Sequence, residues 1–283
     1  MAGIIAALLS LYVIWGSTYL AIRIALEGFP PFLMAGLRYT VAGAGLYLFL
    51  RMRGAPHPKR NEWKGACIVG GLLLLGGNGG VALAEQWVTS GIAALVIATT
   101  PLWTVLFSGI RGHRPARAEW AGIVLGLAGV GILNMGGELK AHPAGAVALL
   151  TAAILWALGS ALSNRLSLQP GMMAVASQMI AGGAMLLCAG LLTGERLEAL
   201  PGLRAAGAFV YLIIFGSLIG FSSYVYLLSR VRPALATSYA YVNPIIAVGL
   251  GVALAGEAVT ATEIIAVPVI LCGVVLVILG NRK

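Results

Sequence analysis

Gly112-His113-Arg114-Pro115-Ala116-Arg117-Ala118-Glu119 and Gly256-Glu257-Ala258-Val259-Thr260-Ala261-Thr262-Glu263 are one loop written twice. They share their opening Gly and closing Glu at an offset of 144, and Gly129 follows the first as Gly273 follows the second. Working outward, Trp15 pairs with Trp156 at an offset of 141. Pro101 pairs with Pro244 at 143, in Ala-Thr-Thr-Pro-Leu and Tyr-Val-Asn-Pro-Ile. A drift of three residues is what a few small insertions produce, so the chain reads as two copies of one unit, 1–138 and 139–283. The copies differ in charge. The first loop carries Arg114 and Arg117 and the second has no Arg, which is expected if the two loops face opposite compartments.

Each unit is almost wholly apolar. Of 283 residues, 60% are hydrophobic and 10% charged, against about 25% charged in a soluble domain, so a water-facing surface cannot be covered. A span needs ~20 apolar residues. Ten segments satisfy this, at roughly 4–26, 31–50, 64–84, 90–110, 118–136, 144–164, 171–193, 206–228, 234–255 and 260–280. The expected fold is an all-α polytopic membrane protein whose five-span unit is repeated. Because five is odd, the second copy enters the bilayer inverted. Inverted repeats with a site at their midplane interface are a transporter arrangement, since two pseudo-symmetric halves permit alternating access.

The net charge of +9 is a topology signal rather than a nucleic-acid-binding surface. Loops after even-numbered spans, with the tail, hold 13 of the 18 Lys and Arg residues, and seven of the nine Glu fall on the other side. Both termini are therefore expected in the cytoplasm. The N-terminal apolar stretch lacks a basic leader and runs to Leu26, as a first span rather than a cleaved signal. Cys67, Cys188 and Cys272 lie in apolar runs without CxxC spacing and read as small buried hydrophobes. His57, His113 and His142 fall in loops, so no metal site, cofactor or catalytic group is expected. No Asp occurs, and no Ser/His pair lies within spans, which argues against an intramembrane enzyme.

Polar groups in hydrocarbon should face the bundle interior. In the sixth span Trp156, Gly159, Ser160, Ser163 and Asn164 share one face. Trp15 and Thr18 lie one turn apart, as do Thr99 and Trp103; Thr237, Ser238 and Tyr241 share a face just before Asn243 and Pro244. Asn78 sits among Gly76, Gly77, Gly79 and Gly80, which could loosen the third helix. The eighth span adds Ser222, Ser223 and Tyr224. Together these could line an aromatic cavity with scattered hydrogen-bonding groups, suited to a small amphipathic solute. For each, an ordinary role competes: Ser and Thr often bond their own helix backbone, and Trp63, Trp87 and Trp120 read as interfacial anchors. Gly122 and Gly126 form a small-residue packing face.

Pro101 and Pro244 stand mid-span at equivalent positions, where each removes a backbone hydrogen bond and marks a hinge. Pro268 reads as an ordinary kink. Arg38, eight residues into the second span, is roughly 11 Å deep. It is open to two roles: structural, or partner to an anionic group of the substrate. No acid falls near the centre of a span; Glu85 stands at the outer end of the third. A proton-coupled exporter of lipophilic cations would want a central carboxylate, so its absence favours facilitated movement of a neutral or zwitterionic solute.

Leu-Tyr-Val-Ile-Trp15-Gly16-Ser17, Pro30 with Arg38, Pro101, Pro244, and Gly256-Glu257 through Glu263 to Gly273-Val274 resemble the ten-span EamA branch of the drug/metabolite transporter superfamily. The first repeat departs from the pattern with His113 where the second has Glu257. The likeness covers both repeats, and the length and Trp-rich interior resemble the YddG-type amino-acid exporters. It implies a bacterial inner-membrane carrier whose cavity lies between the halves, with Trp15, Asn78, Thr99, Trp103, Trp156, Ser238 and Tyr241 as site residues. The expected activity is export of neutral, chiefly hydrophobic or aromatic amino acids and related metabolites by a monomer in the lipid bilayer. The alternatives are a carrier of anionic metabolites such as sugar phosphates, held by Arg38, and broad drug or metabolite efflux.

Overall fold

Apolar runs of about 20 residues separated by short polar connections fold as helical rods, because hydrocarbon leaves backbone groups no partner outside the helix. A computed structural model describes residues 2–109, 116–135, 142–231, 236 and 239–280, of which 108, 109, 133, 134, 241, 274 and 277–280 are described by backbone alone. Among the described residues the rods are α1 (Ala2–Ala25), α2 (Pro31–Met52), α3 (Arg60–Ala84), α4a (Ser90–Ile97), α4b (Thr100–Gly109), α5 (Arg117–Met135), α6 (Pro143–Ser163), α7 (Met172–Leu192), α8 (Leu203–Arg230), α9 (Tyr239–Ala255) and α10 (Ala261–Gly280). Among the described residues, seven stretches are long and apolar enough to cross a membrane, α4a and α4b counting together as one over Ser90–Phe107. No strand occurs among the described residues.

Peripheral helices pair through glycine. A β-carbon at Gly273 of α10 would lie 2.6 Å from the Gly126 nitrogen and 2.7 Å from the Gly122 oxygen of α5, which is the face formed by Gly122 and Gly126. In the same way α2 lies on α7, with Gly43 against Met179 and Ile180 and Gly183 against Thr40. Small residues let helix backbones approach where lipid supplies no hydrophobic drive. Each pair joins equivalent helices of the two halves, second with seventh and fifth with tenth, and the pairs flank a central group of α1, α3, α4a, α6, α8 and α9.

Three central helices widen to π-helical turns, at Leu11–Trp15, Gly71–Gly79 and Leu212–Phe221. The second and third are equivalent, offset by about 141 residues, and the second contains the glycines around Asn78. Such turns release carbonyls from the regular ladder and recur at functional sites.

The fourth span is interrupted, and Pro101 is the second residue of the resumed helix α4b rather than a kink within a continuous one. Pro101 has no N–H to offer the Ile97 carbonyl, and the Thr100 hydroxyl takes that acceptor at 2.6 Å. Its counterpart Pro244 lies inside α9. Cys188 and Cys272 also depart from expectation: both are exposed on the outside of the bundle, with Cys67 half-buried. Their apolar runs face surroundings that are themselves apolar, so lack of charge does not mean burial in protein.

Glycines with positive φ end two helices and aim acids at the starts of others. Gly194 (φ 79°) follows α7 and turns Glu195 onto α2, where its carboxylate accepts from Phe32 and Leu33 N–H at 3.1 and 2.8 Å. Gly256 (φ 67°) follows α9 and turns Glu257 onto α4a, where it accepts from Ser90 N–H at 3.1 Å. Each acid thereby ties a helix of the second half to a helix of the first.

Candidate functional site

Trp15, Thr18, Tyr19 and Ile22 recur at i, i+3, i+4 and i+7, so α1 presents one continuous face to the bundle centre. That face borders a small cavity of about 50 Å³. Arg38, Gly77, Asn78 and Val81 close it from α2 and α3, Ile97 from α4a, Ala152 and Trp156 from α6, and Tyr239 from α9. Trp15 is roughly 20 Å along α1 at 1.5 Å per residue, so the cavity lies near the middle of the bundle. Both halves contribute walls. Among the described residues the lining holds four aromatic rings, two hydroxyl or amide side chains besides the two tyrosines, one cation and no acid.

Toward the end of the bundle where α1 begins, the cavity rests on a knot of rings. Trp15 lies 5.5 Å from Trp156 and 5.1 Å from both Tyr224 and Tyr239, measured between ring centroids. Edge-on geometry sets the positive rim of one ring against the negative face of another. Polar atoms of the knot are satisfied within it: Trp156 Nε1 donates to Tyr224 Oη at 3.2 Å, and Tyr224 Oη pairs with Ser160 Oγ at 2.7 Å. Trp15 Nε1 donates to the Gly216 carbonyl at 3.3 Å, an acceptor in the π-helical stretch of α8. Turned with its amide nitrogen toward α1, Asn243 donates to Leu11 and Tyr12 carbonyls at 3.3 and 3.2 Å, within the π-helical turn of α1.

Toward the other end, Arg23 gathers three elements. Its Nη1 donates to the Val88 carbonyl at 2.7 Å in the turn after α3, and its Nε lies 3.4 Å from Glu257 Oε1 in the connection after α9. Glu257 in turn holds Ser90 through both its N–H and its hydroxyl. Parting α1 from α3 and α9 at this end would break both of the Arg23 contacts together.

Arg38 stands apart. Its residue is 2% exposed, Nε donates to Ser217 Oγ at 2.7 Å, and the guanidinium carbon lies 4.5 Å from the Tyr39 ring centre. No carboxylate pairs with it among the described residues. Its Nη2 reaches the edge of Gly216, beside the Thr18 methyl group, where the cavity begins. A buried, unpaired guanidinium is costly, and a ligand anion would compensate it.

Of the residues expected from sequence, the structure brings Trp15, Asn78, Trp156 and Arg38 to the cavity, with Thr18. Thr99 is fully buried and returns its hydroxyl to the Val96 carbonyl at 2.7 Å; Trp103 Nε1 donates to that same hydroxyl at 3.3 Å. Both are occupied by the break before Pro101, so neither lines the cavity. Ser160 braces the ring knot from behind instead of lining the cavity. Ser238 and the Tyr241 side chain lie outside the described residues, as do Thr237 and His113. Tyr19 and Tyr239 line the cavity without having been singled out. Tyr19 was detectable as the i+4 neighbour of Trp15; Tyr239 is adjacent to the Thr237-Ser238 pair but carried no signal of its own.

Comparison with known proteins places these features in a family. The model of the EamA-like transporter family matches the chain twice, over residues 1–135 and 143–279. The uncharacterized inner membrane transporter YedA of Escherichia coli strain K12 is 49% identical over 276 residues, covering 97% of this chain and 90% of its own. A protein named "Probable terminal-alkyne amino-acid exporter" from Streptantibioticus cattleyicolor is 25% identical over 281 residues, covering 98% and 95%. One solved crystal structure superposes with a TM-score of 0.73 at 25% identity, covering 100% of this chain and 99% of the other.

Proposed function

Because this chain belongs to the EamA-like transporter family of the drug/metabolite transporter superfamily, and is thus a multi-pass membrane transporter of small molecules, we propose that it exports neutral, chiefly hydrophobic or aromatic amino acids by alternating access. The observation that carries this reading is the central cavity: aromatic walls for an apolar side chain, one unpaired guanidinium for a carboxylate, and no acid to repel it. Trp15, Trp156, Tyr19 and Tyr239 would contact the side chain, Asn78 would offer an amide, and Arg38 would hold the carboxylate. The relative named as an amino-acid exporter supports the substrate class.

The carrier works as a monomer in the bacterial inner membrane, with the end bearing the termini and most Lys and Arg in the cytoplasm. Its two inverted units, 1–138 and 139–283, rock about the cavity, the ring knot parting in the inward-open state and the Arg23–Glu257 contacts in the outward-open one. Pro101 and Pro244 act as hinges in the two halves. Solute moves down its own gradient, without a cofactor or metal. Uptake of labelled amino acids into proteoliposomes tests the reading; no flux of any amino acid, in either direction and with or without a pH gradient, would overturn it.

One observation favours a second reading. The guanidinium of Arg38 would serve a phosphate as well as a carboxylate, which keeps anionic metabolites such as phosphate esters in view. Competition of the amino-acid flux by phosphate monoesters separates the two, since only an anion carrier would be inhibited strongly.

A further inference from the structure

Glu85 is the first residue beyond α3 and lies just past the membrane-spanning stretch Arg60–Ala84. It is 2% exposed, and neither carboxylate oxygen has a hydrogen-bond partner among the described residues. The cation that faces it is engaged elsewhere. Arg23 Nη1 donates to the carbonyls of Val88 and, more weakly, of Glu85 itself, while Arg23 Nε lies 3.4 Å from Glu257 Oε1. Glu257 also takes both hydrogen bonds of Ser90. Two carboxylates therefore share one guanidinium, and Glu257 has the better geometry.

The other groups around Glu85 do not relieve it. Tyr19 faces it from α1, and its ring lines the cavity. The part of α6 packed against the end of α3 presents Gly145 and Ala148, neither of which titrates. An ionised carboxylate out of water without donors is expensive, and the group takes a proton instead. Burial accordingly pushes the Glu85 carboxyl well above the usual carboxylate range, with Arg23 opposing and Glu257 adding to the effect.

Position gives the proton a consequence. Glu85 N–H donates to the carbonyl of Val81, so Glu85 sits one turn beyond a cavity-lining residue and directly beneath the contacts that gather α1, α3, α4a and α9. Parting those elements admits water to Glu85. We propose that Glu85 is a proton-binding site whose occupancy is tied to closure of this end of the bundle: the end closes with the proton bound and opens with its release. The closed state binds the proton more tightly than the open one, so lowering the pH favours closure and raising it favours opening. The assignment of this end to the outside rests on the proposed orientation; the proton linkage does not rest on any solute.

The test needs no substrate. Val81→Cys is placed in a background with Cys67, Cys188 and Cys272 replaced by Ser, reconstituted into liposomes, and labelled with a membrane-impermeant methanethiosulfonate from the Glu85 side. The same is done with Glu85→Gln added, and the ratio of the two rates cancels intrinsic thiol chemistry. The ratio should rise at least about fivefold between pH of roughly 5 and 8, with Glu85→Gln labelled slowly throughout because a neutral amide mimics the bound proton. Parallel pH profiles would overturn the proposal. Infrared spectra of the purified parent chain give a second measurement: a protonated-carboxyl band at neutral pH that disappears in Glu85→Gln. If that band is absent from the parent, the proposal fails whatever the labelling shows. Neither result depends on amino-acid transport, so a wrong solute and a wrong proton site remain distinguishable.

Discussion

The indole of Trp15 rests on the α-carbon of Gly220, so close that a β-carbon there would come within 2.3 Å of Trp15 Nε1. The arrangement is repeated across the molecule, where Trp156 rests on Gly77 and a β-carbon would meet its Cε3 at 2.6 Å. Trp15 and Trp156 are repeat partners, and Gly220 and Gly77 stand 143 residues apart in the two equivalent π-helical stretches. Each half thus seats its tryptophan in a glycine notch of the other half. The two rings that border the cavity are located by the absence of a side chain beneath them.

Gly220→Ala should therefore push Trp15 into the cavity or toward Tyr239. We expect a loss of about 1–3 kcal/mol in stability from overpacking, seen as a lower Tm in detergent, together with reduced flux of the bulkiest solutes. Gly249→Ala is the internal control. Its added methyl group meets nothing within 4 Å in α9, so helix propensity should stabilise the chain by about 0.5–1 kcal/mol. Equal effects of the two substitutions would contradict the notch.

Tyr224→Phe removes the hydroxyl that joins Trp156 to Ser160. Ser160 keeps its bond to the Trp156 carbonyl and Tyr239 stays beside the indole N–H, so the loss should be about 0.5–1.5 kcal/mol, that of one net hydrogen bond. The expected outcome is a destabilised ring knot: a lower Tm, and faster access of water-soluble reagents to the cavity from the end where α1 begins. Unchanged access would show that the knot does not close that side.

Arg38→Gln keeps a donor near Ser217 and removes the charge. If the guanidinium holds the substrate carboxylate, the half-saturating concentration should rise at least about tenfold, which corresponds to about 1.4 kcal/mol of lost binding. Stability should fall little, or rise, since an uncompensated charge leaves the interior. Retained affinity with lowered Tm would assign Arg38 to structure alone. Arg38→Lys separates geometry from charge, because the ammonium cannot present the planar fork.

Much of the architecture was legible because membrane insertion acts on local properties. Hydrophobic run length locates helices, and Gly112-to-Glu119 against Gly256-to-Glu263 carries the repeat in plain view. Trp15 and Asn78 were found because a polar or amphipathic group inside a span must face protein. The same rule was too permissive for Thr99 and Ser160, whose hydroxyls bond the backbone of their own helices and never reach the cavity. For Trp103, depth in the span locates the ring, while the partner of its N–H, Thr99, is set by the local helix break.

The sequence by itself determined the helices, their duplication and the expected opposite sense of the two halves, because these follow from apolar length, offset and loop charge. Only the tertiary structure decided which groups meet: Trp15 with Gly220, Arg38 with Ser217, Arg23 with Glu257 and the turn beyond Glu85. Each of those meetings joins residues far apart in the chain and depends on the rotation of one helix against another. That rotation is set by packing at glycine faces over the whole bundle, which no local stretch of sequence encodes. For the same reason the acid at the end of the third span became significant only in three dimensions, where the cation that faces it among the described residues, Arg23, proved to be committed to another carboxylate.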